Sequence, residues 1–236
     1  RHIQKKTKLY DKYKILLSDL MIYETNKTLD PVISLLTKKY GLPSNVVNKI
    51  NKLLKASISM LEIVKKNNII IKKKQNRDKY ILTYKNFSYD ITKTNYKRIK
   101  SLIIDESYKK YYTLDTLLWM LYHRYHQLHL YNNSQGAVHP KYYNKLTSNK
   151  HIASNIEGFG SFFNHTLRHY YGLFPDLEKY FGCLGNFFTS SLTEPFYVVN
   201  PPFTTTQINL TIKHLIQQLK TQKHKLTIMM VIPAWL

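Results

Sequence analysis

Asn200-Pro201-Pro202-Phe203 is the string whose residue types and order are best suited to chemistry. It follows the apolar run Pro195-Phe196-Tyr197-Val198-Val199 and precedes an amphipathic stretch, residues 204–220. In an open α/β sheet that place lies at the carboxyl edge of a strand, where ligands bind. The exocyclic amine of adenine is a poor nucleophile, because its lone pair is delocalised into the ring. The Asn200 side-chain oxygen and a neighbouring backbone carbonyl can accept both of its N–H bonds. Those acceptors favour a more tetrahedral nitrogen, with its lone pair aimed at a methyl donor. Pro201 and Pro202 stiffen the loop and present the carbonyl without adding N–H groups. Phe203 offers a face on which the base can stack. A Pro-Pro turn that merely ends a strand is the plainer reading. With Pro at about 5% of residues, such a string arises by chance in about one chain in a hundred of this length, and its place between strand and helix lowers that further. The expected roles are catalytic for Asn200, Pro201, Pro202 and Phe203.

Other constellations carry less. His123, His126 and His129 lie three apart on an expected helix, and successive threes drift around a turn of 3.6 residues. An interface or nucleic-acid contact fits them better than a metal. His165 and His169 are four apart, but the central Glu of a zinc-protease helix is absent. They read as structural, and no metal site is expected. Gly182 and Gly185 lack the rest of a dinucleotide fingerprint. Cys183 is the only cysteine, so neither an internal disulfide nor a Cys-based zinc site can form.

The elements that position the Asn200 string follow from periodicity. After a polar stretch, Tyr131 to Gly136, the pattern is α/β. His151 to Phe159 reads as a strand and Phe162 to Tyr171 as a helix. Residues 195–199 read as a second strand. Thr204 to Lys220 reads as a helix, with Thr204 and Gln207 spaced as a capping box. Leu226 to Ile232 is a continuous apolar run, typical of a buried parallel strand. The expectation is a Rossmann-like sheet over residues 132–236, incomplete at its C-terminus because a core strand is followed at once by Leu236. Residues 1–131 read as a mainly helical basic module. Helices are expected over 8–25, 31–41, 44–64, 94–104 and 113–131, with a small β insertion over 69–91. In that insertion Lys72-Lys73-Lys74-Gln75-Asn76-Arg77 reads as a basic tip between strands.

Charge separates the two halves. The chain has 236 residues and a formal net charge of +22. Residues 1–110 hold 26 basic and 9 acidic side chains, against 10 and 5 in residues 111–236. That excess points to a polyanionic partner, and Tyr and Phe interleaved with Lys favour nucleic acid over a membrane surface. Lys72, Lys73, Lys74 and Arg77 are the expected phosphate contacts. No apolar run is long enough for a transmembrane helix, and the start lacks the features of a signal peptide. An intracellular setting, nuclear or cytoplasmic, is expected.

The string Val199 to Phe203, with Val231-Ile232-Pro233-Ala234-Trp235 further on, resembles the cap-specific adenosine-N6 methyltransferases of the phosphorylated-CTD-interacting factor family. Glu157-Gly158-Phe159-Gly160-Ser161-Phe162-Phe163-Asn164 looks like that family's Glu-x-Phe-Ala-Ser-Pro-x-Asn segment, with Gly160 in place of Ala and Phe162 in place of Pro. Phe174-Pro175-Asp176, and Tyr180-Phe181-Gly182 with Gly185, match its pattern. Leu117-Leu118-Trp119 through Tyr125 and Leu128 looks like its helical-domain motif. The resemblance spans about residues 80–236, and the family's WW module is not visible in the residue pattern. It implies S-adenosyl-L-methionine as cofactor, with Glu157, Phe159, Ser161 and Asn164 near it. It implies RNA as partner, and the adenosine next to the cap of mRNA as target. A viral member would act in the viral factory, and a viral or protist source fits the AT-rich composition. A DNA adenine-N6 methyltransferase shares the four-residue signature. A catalytically silent, RNA-binding subunit of the same fold is the third reading.

Overall fold

The computed structural model describes residues 69–127, 156–203 and 205–232, together with positions 44, 45, 48, 62, 139, 141 and 142. The helices expected over 8–25 and 31–41, most of that over 44–64, the polar stretch 131–136, Thr204 and His129 lie outside the described residues. The chain divides into two compact units, Arg1–Asn133 and Ser134–Leu236.

In the first unit three antiparallel strands run in the order β1-β2-β3: β1 is Lys72–Asn76, β2 is Lys79–Tyr84 and β3 is Phe87–Thr92. The alternation of β3 is explicit, with Tyr89 and Ile91 buried and Ser88 and Asp90 exposed. The basic run is not a tip. Lys72, Lys73 and Lys74 are strand residues facing Thr83, Leu82 and Ile81, and only Arg77 is in the turn, at φ 46°. The ladder continues to Asn76 opposite Lys79, which leaves two residues for the reversal. Helix α1, Lys93–Ser101, starts at Thr92, whose hydroxyl accepts the Asn95 N–H at 3.1 Å. Helix α2, Leu114–Gln127, buries Leu117 through Tyr122 without a break and so has no polar face over that stretch. Its Trp119 indole donates to the Phe87 carbonyl at 3.3 Å and stacks on His123 at 4.8 Å.

The second unit holds a four-stranded parallel sheet in the order β5-β4-β6-β7. Here β4 is Ile156–Glu157, β5 His169–Tyr170, β6 Phe196–Val199 and β7 Thr227–Met230. Helix α3, Pro175–Glu178, follows β5, and helix α4, Thr205–Thr221, joins β6 to β7. The architecture is α/β. Two expectations fail. Phe162 to Tyr171 is not a helix: a turn at Ser161–Asn164 is followed by β5. The Asn164 side-chain oxygen accepts both the N–H and the hydroxyl of Ser161 at 2.9 Å, so local side-chain bonds displace the helical ladder. The apolar run 226–232 is not a fully buried strand. The two inner strands, β4 and β6, are buried along their whole length, while β7, last in the strand order, is half-buried with Thr227 exposed.

Leu215 of α4 joins Tyr197 and Val199 of β6, Ile156, Tyr171, Phe187 and Leu192 in one core cluster. Phe196 and Val198 point to the opposite face and meet Leu167. Period-two alternation of β6 thus feeds two apolar layers, as a parallel strand covered on both sides requires.

Candidate functional site

Strand order places the site. From β4 the chain crosses to β5 on one side, and from β6 to β7 on the other. The order therefore reverses between β4 and β6. A crevice opens at such a switch point, outside the carboxyl ends of the two strands. β4 ends at Glu157 and runs into Gly158-Phe159-Gly160-Ser161. β6 ends at Val199 and runs into Asn200-Pro201-Pro202-Phe203. Two segments singled out by residue type thus leave neighbouring strands at one edge. Glu157 lies opposite Val198 in the ladder, and the Gly158 N–H donates to the Val198 carbonyl at 2.7 Å.

The Asn200 loop holds a buried polar atom. Asn200 Oδ1 is buried and accepts no hydrogen bond. A buried carbonyl without a donor is destabilising by about 1–3 kcal/mol. Val199 and Pro201 on either side are buried, Pro202 is half-buried and Phe203 is 43% exposed. The Val231 N–H bonds the Val199 carbonyl at 2.8 Å, so the strand end that carries Asn200 is tied to the edge strand. The loop therefore joins a buried, unfilled acceptor to an exposed aromatic ring three residues away. An acceptor for an N–H and an aromatic face are the two features that an amine on a planar ring would need.

The four residues expected near a methyl donor hold their own loop. Glu157 is 3% exposed, and its Oε1 accepts the N–H groups of both Thr166 and Leu167, the latter at 2.6 Å. The carboxylate is a fixed negative group at the end of β4 that clamps the crossover to β5. Ser161 and Asn164 bond one another, and the Ser161 carbonyl also takes the His165 N–H at 2.9 Å. Phe159 packs on Phe187 and Phe188 at 4.8 and 5.7 Å. Gly160 stands against β5: a Cβ there would lie 2.9 Å from the Tyr170 Cβ. Phe162 is fully buried and meets Phe181 at 5.9 Å. The two departures from the family pattern are thus packing choices that fit this loop to Tyr170 and Phe181.

Phe187, Phe188 and His214 were not singled out by residue type. A Cβ at Gly158 would meet the Phe187 ring at 3.0 Å, and His214 of α4 lies edge-on to Phe187 at 5.1 Å. The signal for them is on α4. Gln207, Thr211, His214 and Gln218 recur at i, i+4, i+7 and i+11, a polar stripe beside the buried Ile208 and Leu215. Gln218 accepts the Leu192 N–H at 3.0 Å, so part of that stripe satisfies an irregular backbone.

Lys72, Lys73, Lys74 and Arg77 belong to the first unit. Lys73 is engaged within it. Its ammonium lies 3.9 Å from the Tyr96 ring and 4.3 Å from that of Tyr80, and bonds Asp115 at 3.2 Å. Lys72 and Lys74, on the other face of β1, are exposed.

The remaining candidates are structural. His123 is no interface residue: it is buried, and its Nδ1 pairs with the Tyr89 hydroxyl at 2.7 Å. Burial pushes its pKa down to about 4, with His126 and Arg124 adding to the effect. His165 is buried, bonds the Ser161 carbonyl at 2.8 Å and stacks on Tyr170 at 4.4 Å. Burial, with the Glu178 carboxylate next, pushes the Cys183 thiol up, away from nucleophilic chemistry. Among the described residues no group of His, Cys, Asp and Glu could hold a metal ion. None of their helices is long and apolar enough to cross a membrane.

A family model described as phosphorylated CTD interacting factor 1 WW domain matches residues 93–236, more than half of the chain. The chain belongs to this family. No curated protein matches it. The family match begins at the first residue of α1 and spans the parallel sheet with both loops of the candidate site. Strands β1–β3, with the basic run, precede it. The model's description names a WW domain, which the residue pattern alone does not reveal.

Proposed function

We propose that the chain is an S-adenosyl-L-methionine-dependent methyltransferase acting on the N6 amine of adenosine in RNA, with the cap-adjacent adenosine of mRNA as its target. One observation carries the proposal: the buried, unfilled Asn200 Oδ1 at the carboxyl end of β6, beside the switch point of a parallel sheet. An adenine amine supplies the N–H that this oxygen lacks. Family membership favours the same chemistry, and the strand order is compatible with a Rossmann-like domain.

Each residue then has a task. Phe203 stacks on the adenine ring and orients it. Asn200 Oδ1 accepts from the amine and draws its lone pair out of conjugation, an interaction that strengthens as the nitrogen becomes tetrahedral. Pro201 and Pro202 hold the loop rigid, so the acceptor is in place before the base arrives. The donor set at the end of β4 fits a cationic cofactor, because the Glu157 carboxylate is fixed there by two backbone N–H groups. Glu157, Phe159, Ser161 and Asn164 would shape the wall on which S-adenosyl-L-methionine rests. That group supplies an activated methyl on a sulfonium, so no metal is required. The target base must be unpaired or flipped to reach Asn200, which disfavours a stacked duplex. Lys72, Lys74 and Arg77 would contact phosphates.

The test compares initial methylation rates on capped RNA beginning with adenosine, on RNA with internal adenosines only, and on duplex DNA, at one salt concentration. The capped RNA is expected to be fastest. Equal or faster methylation of the duplex would reassign the chain to DNA adenine. Calorimetric absence of donor binding would make it a silent RNA-binding subunit.

A further inference from the structure

The apolar stripe of helix α4 is only partly covered. Ile208 and Leu215 are buried on the side that packs inward. Ile212, Ile216 and Leu219 recur at i, i+4 and i+7 and are 40%, 47% and 51% exposed. These residues continue the stripe of Ile208 and Leu215 around the helix, and the part of it left exposed is a contact surface. The border of this stripe has a single sign. Residues 205–232 contain Lys213, Lys220, Lys223 and Lys225 and no Asp or Glu.

We propose that this face of α4 docks an acidic amphipathic helix of a partner protein. Apolar side chains of that helix at i, i+4 and i+7 seat on Ile212, Ile216 and Leu219, and its carboxylates lie against Lys213 and Lys220. Charge selects the occupant. A second copy of this chain, itself at +22, sets lysine against lysine. Of the chain's own segments, residues 128–155 contain no acidic side chain, and residues 1–68 hold 14 basic side chains against 5 acidic. RNA meets the lysines but has no use for three aliphatic side chains. A bilayer needs a helix that sinks one whole apolar face, whereas the inward face of α4 is held in the protein core by Leu215.

The probe is a labelled peptide of about 18 residues, five helical turns, with Leu at heptad spacing and Glu on the flanks. Its binding to the full chain is read by fluorescence anisotropy, beside a scrambled peptide of equal composition. Saturable binding of the patterned peptide is expected, weakening as salt rises. Ile216→Asp should weaken it by about tenfold or more, and Lys213→Glu with Lys220→Glu should flatten its salt dependence. Gln217→Asp, one position off the stripe, should bind more tightly than Ile216→Asp, and circular dichroism should show both folded. Ile216→Ser serves in place of Ile216→Asp if the latter unfolds. Equal binding of the scrambled peptide would overturn the proposal, as would an Ile216 variant that binds normally. Ile216-dependent uptake by phosphatidylserine vesicles, without peptide binding, would overturn it in favour of a membrane.

Discussion

Asn200 and His123 are both polar groups placed in apolar surroundings, and they differ in what satisfies them. His123 has a partner in Tyr89 and a ring to stack on in Trp119, and burial keeps it neutral. Its folded pKa, about 4, lies below the ordinary 6.5. As pH falls through the ordinary value, the unfolded chain binds a proton that the folded chain refuses. Stability is therefore full above about pH 6.5 and declines towards pH 4. The thermal midpoint should fall across that window, and His123→Phe should flatten the fall while lowering the neutral-pH midpoint through loss of the bond to the Tyr89 hydroxyl. Asn200 Oδ1 has no partner, so Asn200→Ala removes a cost of folding. The variant should melt at the same temperature as the wild type or higher, bind RNA nearly normally, and turn over slower by about a hundredfold or more. A lowered melting temperature with unchanged turnover would return Asn200 to the role of a strand terminator. The Asn200 loop was legible from its residue types because two successive prolines fix φ and cannot donate to a ladder, which ends the strand at Val199. The engagement of Ser161 with Asn164 was not, since either residue also serves a turn or a cap.

At the level of elements, alternation and capping were readable and competition between local and tertiary bonds was not. Phe87, Tyr89 and Ile91 alternate with polar residues, and β3 forms as that pattern demands. Phe163, Leu167 and Tyr170, at i, i+4 and i+7, are spaced in a way that suits a helix, but Glu157 captures the N–H groups of Thr166 and Leu167, nine and ten residues on. No window of periodicity contains that bond. Three successive lysines read as a turn because lysine is a poor strand former. Their strand is held by partners remote in sequence: Lys73 by Tyr80, Tyr96 and Asp115. The single strand thus contains two kinds of lysine. Lys72→Glu with Lys74→Glu should weaken RNA binding at all sequences and lower the steepness of its salt dependence by about two charges, with the fold intact. Lys73→Glu sets a carboxylate against Asp115 and should chiefly lower the melting temperature. The reverse outcome would place the phosphate contacts on the Tyr96 side of β1.

Over the whole molecule, composition and site chemistry speak to different tasks. On the function proposed, the basic excess of residues 1–110 would provide sequence-independent attraction to a polyanion, while the reacting groups lie in the second unit. The alternation of strand, loop and helix made an α/β sheet legible, and the family match adds that the site-bearing region is the part shared with relatives. Edge position, which leaves β7 half-exposed, is a property of strand order and has no trace in the run Leu226 to Ile232 itself. On the function proposed, this chain moves a methyl group to the N6 amine of adenosine through Asn200. The most direct measurement incubates the wild-type chain and Asn200→Ala with capped, adenosine-initiated RNA and S-adenosyl-L-methionine carrying a labelled methyl, then digests the RNA to nucleosides. Label is expected in N6-methyladenosine from the wild type, with about a hundredfold less from the variant. Label in another nucleoside, label in none, or equal yields from the two proteins would contradict it.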